Sequence, residues 1–323
     1  LKPADDRDVI RPNAMGKFTD LLAAATKSQA MLTYLDGREN RVHKPGDKPN
    51  ENHARELLEL HTLGVNGGYS QNDVMEVARC LSGWRIGRGL FQNGKVQFKP
   101  GHHDSGKKLV LGQAIPERKG MDGRKDLDDV LRIVASHTST ARHIATKLCR
   151  RFIDDEPPSA AIDAVATRFS RSDGSIPEVL RTLFHTEAFR SHRGGKFKQP
   201  MHLIASALRV TDAETDAGRP LLNFLTRMGH MPFEYPSPDG YEDAADAWQG
   251  TLLWRWNFAA RLGRGQIKRT HLNRSRLAKR SGGLAKLAAH ILNRKPSVEE
   301  LAAVEASDNP VGLLLASPGF QWS

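Results

Sequence analysis

Helix starts written into the chain as Ser-x-x-acid motifs constrain this sequence more than any other feature. Ser70 with Asp73 precedes an apolar stripe of Val74, Val77, Ala78 and Leu81, and Ser297 with Glu300 opens a second helical stretch. Such a capping box satisfies two backbone N–H groups reciprocally and so fixes where a helix begins. Ser175-Ile176-Pro177-Glu178 adds Pro in the first turn, where its missing N–H costs nothing, and continues through Leu180, Leu183 and Phe184. Apolar residues recur at helical spacing over 18–35, 51–63, 127–136, 139–152, 159–170, 200–210, 220–228, 244–262 and 283–292. The expected fold is mainly α, a multi-helix orthogonal bundle. One stretch breaks the pattern: Asn93-Gly94 lies between Phe91-Gln92 and Val96-Gln97-Phe98. Asn-Gly supplies the two positive-φ residues of a tight turn and predicts a β-hairpin over 90–98. Residues 108–111 read as another short strand, so a small β insertion is expected at about 85–115.

The helical body is expected to run from 1 to 260. A basic stretch over 261–282 carries Arg261, Arg264, Lys268, Arg269, Arg274, Arg276, Lys279 and Arg280 with no acid among them. It reads as a solvated, mobile linker or as an arm that touches polyanions. A C-terminal helical segment, 283–323, is expected to fold back on the body. Residues 183–190 weakly echo 314–321; two copies do not make a solenoid, and the echo reads as one helix-end device used twice.

Composition narrows the function classes. Lys and Arg number 48 against 37 Asp and Glu, a formal charge of +11. That excess favours anionic partners, or else is a solvated basic surface. The two cysteines, Cys80 and Cys149, form no CxxC and read as small buried hydrophobes. No apolar run reaches the roughly 18 residues of a membrane span. The chain begins at Leu1 without a signal-like stretch, which predicts a processed or truncated form.

Three segments could carry chemistry. In Glu51–Gly64, a helical wheel puts Ala54, Leu57, Leu58 and Leu60 on one arc, with His61 in its middle. Asn52, Arg55, Glu56, Glu59 and Thr62 fall opposite. An imidazole on a core face needs a polar partner, and Glu56 with Glu59 could form an acid/base pair, hold a metal, or pair with Arg55. The second segment is the Gly-bounded loop His102-His103-Asp104-Ser105-Gly106-Lys107-Lys108, where His103 and Asp104 could supply ligands or a base. Another element must close any site built on His61, and this loop is the best candidate. Glu56, His61, His103 and Asp104 would then hold a divalent metal, or the same groups form a structural hydrogen-bond network. The third segment runs from Tyr235 through Tyr241 and Trp248 to Leu253-Trp254-Arg255-Trp256-Asn257-Phe258, where Trp256 could stack on a sugar or pack in a core. No HExxH, GxSxG, Walker or dinucleotide-binding motif occurs.

Taken together these segments resemble the bacterial DUF1800 family. The resemblance is carried by Glu51–Gly64, by Asp73, Ala78-Arg79 and Gly83-Trp84, and by His103-Asp104-x-Gly106-x-Lys108 with Val110-Leu111-Gly112. Lys147-Leu148, Arg151-Phe152, Asp155-x-Pro157-Pro158, Pro238-Asp239-Gly240-Tyr241 and Arg255-Trp256-Asn257-Phe258 extend it over nearly the whole chain. His53 departs from the family's usual Tyr, and an aromatic-and-His segment typical of longer members at the N-terminus is not in this sequence. The resemblance implies no established activity. It does imply an exported, periplasmic or envelope protein that accompanies members of a second exported family, DUF1501, which look similar to sulfatases.

Three function classes follow. The first is an exported envelope protein acting with a sulfatase-like partner or binding an anionic polysaccharide, with Asn52, Arg55, Lys108 and Trp256 as candidate binding residues. The second is a metal-assisted hydrolase with His61, Glu56, Glu59, His103 and Asp104 as candidate catalytic residues. The third is non-specific nucleic-acid binding through a basic surface, which ranks last because neither a helix-turn-helix nor a base-stacking platform is recognisable.

Overall fold

A computed structural model describes residues 1–44, 46–87, 94–192, 194–273, 277 and 282–322. The chain is mainly helical, at 58%, with small two-stranded antiparallel sheets. It divides into two compact units, Leu1–Cys149 with Pro157–Arg190, and Arg150–Glu156 with Ser191–Ser323.

In the first unit, Phe18–Thr26 packs on Lys125–Ala135, and Ser159–Arg171 pairs with Ile176–His185. Gln71–Cys80 is the central strut: both Asn52–Glu56 and the strand Lys108–Val110 pack on it. Its capping box forms as the sequence requires, with Asp73 N donating to Ser70 Oγ at 3.2 Å and Ser70 N to Asp73 Oδ2 at 2.8 Å. Val74, Val77 and Ala78 turn inward and are fully buried, as are Leu57 and Leu58. Two expectations need correction. The stretch 18–35 is two helices, Phe18–Thr26 and Gln29–Tyr34, because Ser28 caps a new start through Met31 N. Ser175 does open a helix, but no capping box forms there; the Glu178 carboxylate lies 3.4 Å from Arg168 instead.

The β insertion is present with a different pairing. Val96–Phe98 is antiparallel to Trp84–Ile86, with Trp84 opposite Phe98. The expected partner, Phe91-Gln92, and Asn93 of the turn lie outside the described residues. Local turn chemistry ranked Asn-Gly first, whereas the long-range pairing brings Trp84 edge-on to Phe98, with ring centroids 5.5 Å apart. Lys108–Val110 is a strand as expected and pairs with Gln113–Ile115.

The second unit is built on Leu252–Gly263 against Pro310–Ala316. Their backbones meet at two glycines: a Cβ on Gly263 would lie 2.4 Å from Gly312 N, so any larger residue would force the helices apart. Asn309 locks the crossing by accepting from Gly312 N and donating to Ala260 O. Leu203, Phe224, Phe258, Leu262, Ile291 and Leu314 fill the core around it. The described part of the basic 261–282 stretch is anchored rather than free. Arg261 is helical, Ile267 and Leu277 are buried in this core, and Thr270–His271 pairs with Glu214–Thr215. Residues 274–276 and 278–281 lie outside the described residues.

The echo between the units is a shared helix end. Thr186, with φ −65° and ψ 148°, returns its hydroxyl to Leu183 O at 2.7 Å. Ser317, with φ −66° and ψ 152°, does the same to Leu314 O at 2.7 Å. Each ends one helix and admits the next, at Glu187 and Pro318.

Candidate functional site

The Glu51–Gly64 segment is not one uniform α-helix. Asn52–Glu56 is α-helical, and Leu57–His61 widens into a π-turn. Thr62 Oγ1 donates to Leu57 O at 2.6 Å, and Gly64 N reaches back to Leu58 O at 3.1 Å, with Gly64 at φ 85°. The under-wound turn rotates everything after Leu57, which corrects the wheel. Thr62, placed on the polar arc by 100° steps, is fully buried, and His61 is only half-buried at the rim of the apolar face. Burial, with a smaller effect from Lys147, lowers the His61 imidazole to about 4.

Sequence reasoning missed His53. It is 2% exposed, its Nε2 has no hydrogen-bond partner among the described residues, and burial followed by the nearby His61 pulls it down to about 3. A Cβ on Gly37 would lie 2.8 Å from its Nδ1. The available signal was the departure from the family's Tyr at this position. Both imidazoles are therefore neutral at pH 7.

On the opposite arc Arg55 is shared between two carboxylates. Its guanidinium lies 3.1 Å from Glu51 and 3.4 Å from Glu59 and donates to Gln71 Oε1 at 2.9 Å. Gln71 Nε2 closes the ring on Glu51 at 2.6 Å. Burial, reinforced by a hydrogen bond with Glu59, pushes the Tyr69 phenol up to about 12. Asn52 starts this helix, its N–H capped by Asn50 Oδ1 at 3.0 Å, and Glu56 is half-buried. Arg55 is thus held by its own helix and by Gln71.

His103 and Asp104 enter a buried polar network on the other side of Gln71–Cys80. His103 Nε2 is 3.2 Å from Asp126 Oδ2, and its Nδ1 is 2.9 Å from Ser82 O. A Cβ on Gly123 would lie 2.5 Å from His103 Cδ2, and the Phe98 ring centroid is 5.2 Å from the imidazole's, so the ring is clamped. Asp104 takes Arg79 through Nε at 2.8 Å and NH2 at 3.1 Å, while Arg79 NH1 holds Glu76 at 2.7 Å. Lys108, a candidate binding residue, has a fully buried side chain whose Nζ donates to Asp126 at 2.6 Å and to Asp104 O. Arg118 bridges Asp126 at 2.8 Å and Asp129 at 2.6 Å. Burial alone would raise Asp126, but hydrogen bonds from His103, Lys108 and Arg118 outweigh it and hold the carboxyl below its ordinary range.

The structure therefore brings His103, Asp104 and Lys108 together with Arg79, named above only for the family resemblance, and with Arg118 and Asp126, which the sequence did not single out. It leaves Glu56, Glu59 and His61 on a separate segment. Among the described residues no three His, Cys, Asp or Glu side chains converge as a metal-holding group. What this arrangement does is fasten the 100–118 loop to two helices through charge-assisted hydrogen bonds.

A different feature of the second unit has the chemistry of a binding site. A cavity of about 560 Å³ opens between Arg219–Arg227 and Leu252–Gly263. Arg227, Arg261 and Lys268 line it together with Asn223, Asn257 and Trp254, and no Asp or Glu does. The Arg227 guanidinium lies 4.3 Å above the Trp254 ring, which fixes one cation in place. Buried Ile267 pins the turn that presents Lys268. Two of these cations, Arg261 and Lys268, belong to the basic stretch legible in the sequence. Trp256 lies two residues on from Trp254 and is 50% exposed.

A family model described as protein of unknown function (DUF1800) matches residues 1–322, and the chain belongs to that family. No curated protein and no solved structure is similar to the chain. Among the described residues no helix is long and apolar enough to cross a membrane.

Proposed function

For this DUF1800 chain we propose binding of an anionic polysaccharide, in an exported envelope protein that works beside a sulfatase-like partner. The observation that carries the reading is the cleft holding Arg227, Arg261 and Lys268 with no carboxylate in its lining. Like charges gathered in one concavity repel, and a sulfate or carboxylate entering between them relieves that repulsion while gaining charge-assisted hydrogen bonds. Arg presents a planar fork suited to such groups, and Asn223 and Asn257 add amide donors and acceptors for hydroxyls. Export and the partner rest on the family resemblance alone.

The alternatives have less support. A hydrolase would draw on Glu59 and Asp104, and each is already paired with an arginine. Single-stranded nucleic acid would want an open aromatic face, and in this cleft the Trp254 face is covered by Arg227. The test is retention of the protein on a sulfated polysaccharide and on duplex DNA across a salt gradient. Elution from the sulfated matrix at clearly higher salt than from DNA is expected. Equal elution, or later elution from DNA, would reject the polysaccharide reading.

A further inference from the structure

Each cation of the Arg227–Arg261–Lys268 cleft has a carboxamide a short step before it in the chain. Asn223 precedes Arg227 by four residues on Arg219–Arg227, and Asn257 precedes Arg261 by four on Leu252–Gly263. Gln266 precedes Lys268 by two in the segment that follows. Residues four apart share a helix face and stand about 6 Å apart along its axis, close to the length of one pyranose ring. Buried Phe224 and Ile267 supply apolar lining beside these pairs. The volume of about 560 Å³ falls among small-ligand sites, roughly 300–1,000 Å³, and suits a few rings rather than a long strand.

Carboxamides elsewhere in the second unit are committed to the fold at both ends. Gln321 accepts from NH1 of the fully buried Arg255 at 3.0 Å and donates to Leu315 O at 2.9 Å. Gln199 accepts from Arg151 and donates to Glu242 O, and Asn309 accepts from Gly312 N and donates to Ala260 O. Among the described residues, the side chains of Asn223, Asn257 and Gln266 make no hydrogen bond within the protein, and those of Arg227, Arg261 and Lys268 make no ion pair. The two kinds of group ask for different ligand chemistry. Guanidinium and ammonium groups only donate, whereas a carboxamide both donates and accepts. A sulfate or carboxylate answers the cations but leaves the amide oxygens facing further acceptors. A hydroxyl donates and accepts, and so answers an amide at either end.

We propose that Asn223, Asn257 and Gln266 are specificity-determining residues that make this cleft select a short anionic saccharide with free hydroxyls over an equally charged ligand without them. The inference rests on the polyanion reading of the cleft and deepens it, because gathered charge alone would accept both ligands equally.

The experiment is calorimetric titration of the full chain with a trisulfated disaccharide and with the same disaccharide after methylation of its free hydroxyls, which keeps the rings and the charge and removes the donors. The free-hydroxyl form is expected to bind about tenfold tighter, a difference of about 1.4 kcal/mol. The triple variant Asn223→Ala, Asn257→Ala, Gln266→Ala should lose that preference and bind both forms as wild type binds the methylated one. Its melting temperature should not move, since Asn223 and Gln266 are exposed and Asn257 is half-buried. Its slope of log affinity against log salt should also be unchanged, because the three cations remain. Arg227→Ala, in contrast, should weaken both forms and reduce that slope while the preference persists. Equal binding of the two forms by wild type, or a preference that survives in the amide variant, overturns the inference; the polyanion reading then stands if Arg227→Ala still weakens both forms. Binding of neither form by wild type, or affinity untouched by Arg227→Ala, removes the polyanion reading and this inference with it.

Discussion

Replacing Asp126 by Asn is the sharpest perturbation of the first unit. The Asp126 side chain is fully buried and is reached by Lys108 at 2.6 Å, Arg118 at 2.8 Å and His103 at 3.2 Å. Lys108 is equally buried, so Asp126→Asn leaves its ammonium facing only Asp104, 4.0 Å away and already paired with Arg79. Breaking a buried pair in this way costs about 3–5 kcal/mol. At roughly 2–4 °C per kcal/mol for a domain of moderate size, the melting temperature of the first unit should fall by on the order of 10 °C. Urea unfolding at pH 7 should show the loss in midpoint with little change in slope. The same group gives a pH signature. Its folded-state carboxyl is held below the ordinary value of 3.8, so its stabilisation is present above that value and is lost as pH falls through the lower folded one. Asp126→Asn should therefore lose less stability than wild type on acidification below pH 4. The double substitution Lys108→Met, Asp126→Leu should recover a large part of the loss at pH 7, since the charge and its partner go together. A midpoint for Asp126→Asn that corresponds to less than about 1 kcal/mol of destabilisation would refute the claim that this network fastens the loop.

Two further outcomes follow from close contacts and from burial. Gly123→Ala puts a Cβ 2.5 Å from His103 Cδ2 and should destabilise by about 1–3 kcal/mol, read by chemical denaturation; an unchanged midpoint contradicts the clamped imidazole. His53, lowered from 6.5 to about 3 by burial, binds its proton only in the unfolded chain between those values, so it removes stability as pH drops below 6.5, by about 1.4 kcal/mol per pH unit. His53→Leu should flatten the stability profile between pH 6 and pH 4, and profiles that run parallel to wild type would exclude a buried neutral imidazole at this position.

What could be read from the sequence was local. The capping boxes at Ser70 and Ser297 need only four residues, and both form. The twin helix ends at Thr186 and Ser317 were visible as an echo because one hydroxyl-to-carbonyl bond decides each. Where a distant partner competes, local reading failed. Glu178 faces Arg168 and leaves Ser175 without its box, and Val96–Phe98 pairs with Trp84–Ile86. The π-turn at Leu57–His61 has no periodic signature, since the pattern alone supports a continuous α-helix. His103 and Asp104 were legible as a polar loop, but their partners Asp126 and Arg79 lie more than twenty residues away and were not. Trp256 stood out as an aromatic. Arg255, between two tryptophans, did not, although a charge amid aromatics is itself a sign of a buried cation.

The proposed polyanion site is the Arg227–Arg261–Lys268 cleft, as distinct from the diffuse net charge of +11. Calorimetric titration of a sulfated octasaccharide at physiological salt separates the two. One triple variant replaces Arg227, Arg261 and Lys268 by Ala. A control replaces Lys95, Lys107 and Arg124, exposed cations of the first unit, and removes the same formal charge. A loss of affinity of about tenfold or more, roughly 1.4 kcal/mol, is expected in the cleft variant, and a near wild-type value in the control. Equal losses in the two variants would contradict it and leave only diffuse electrostatic attraction.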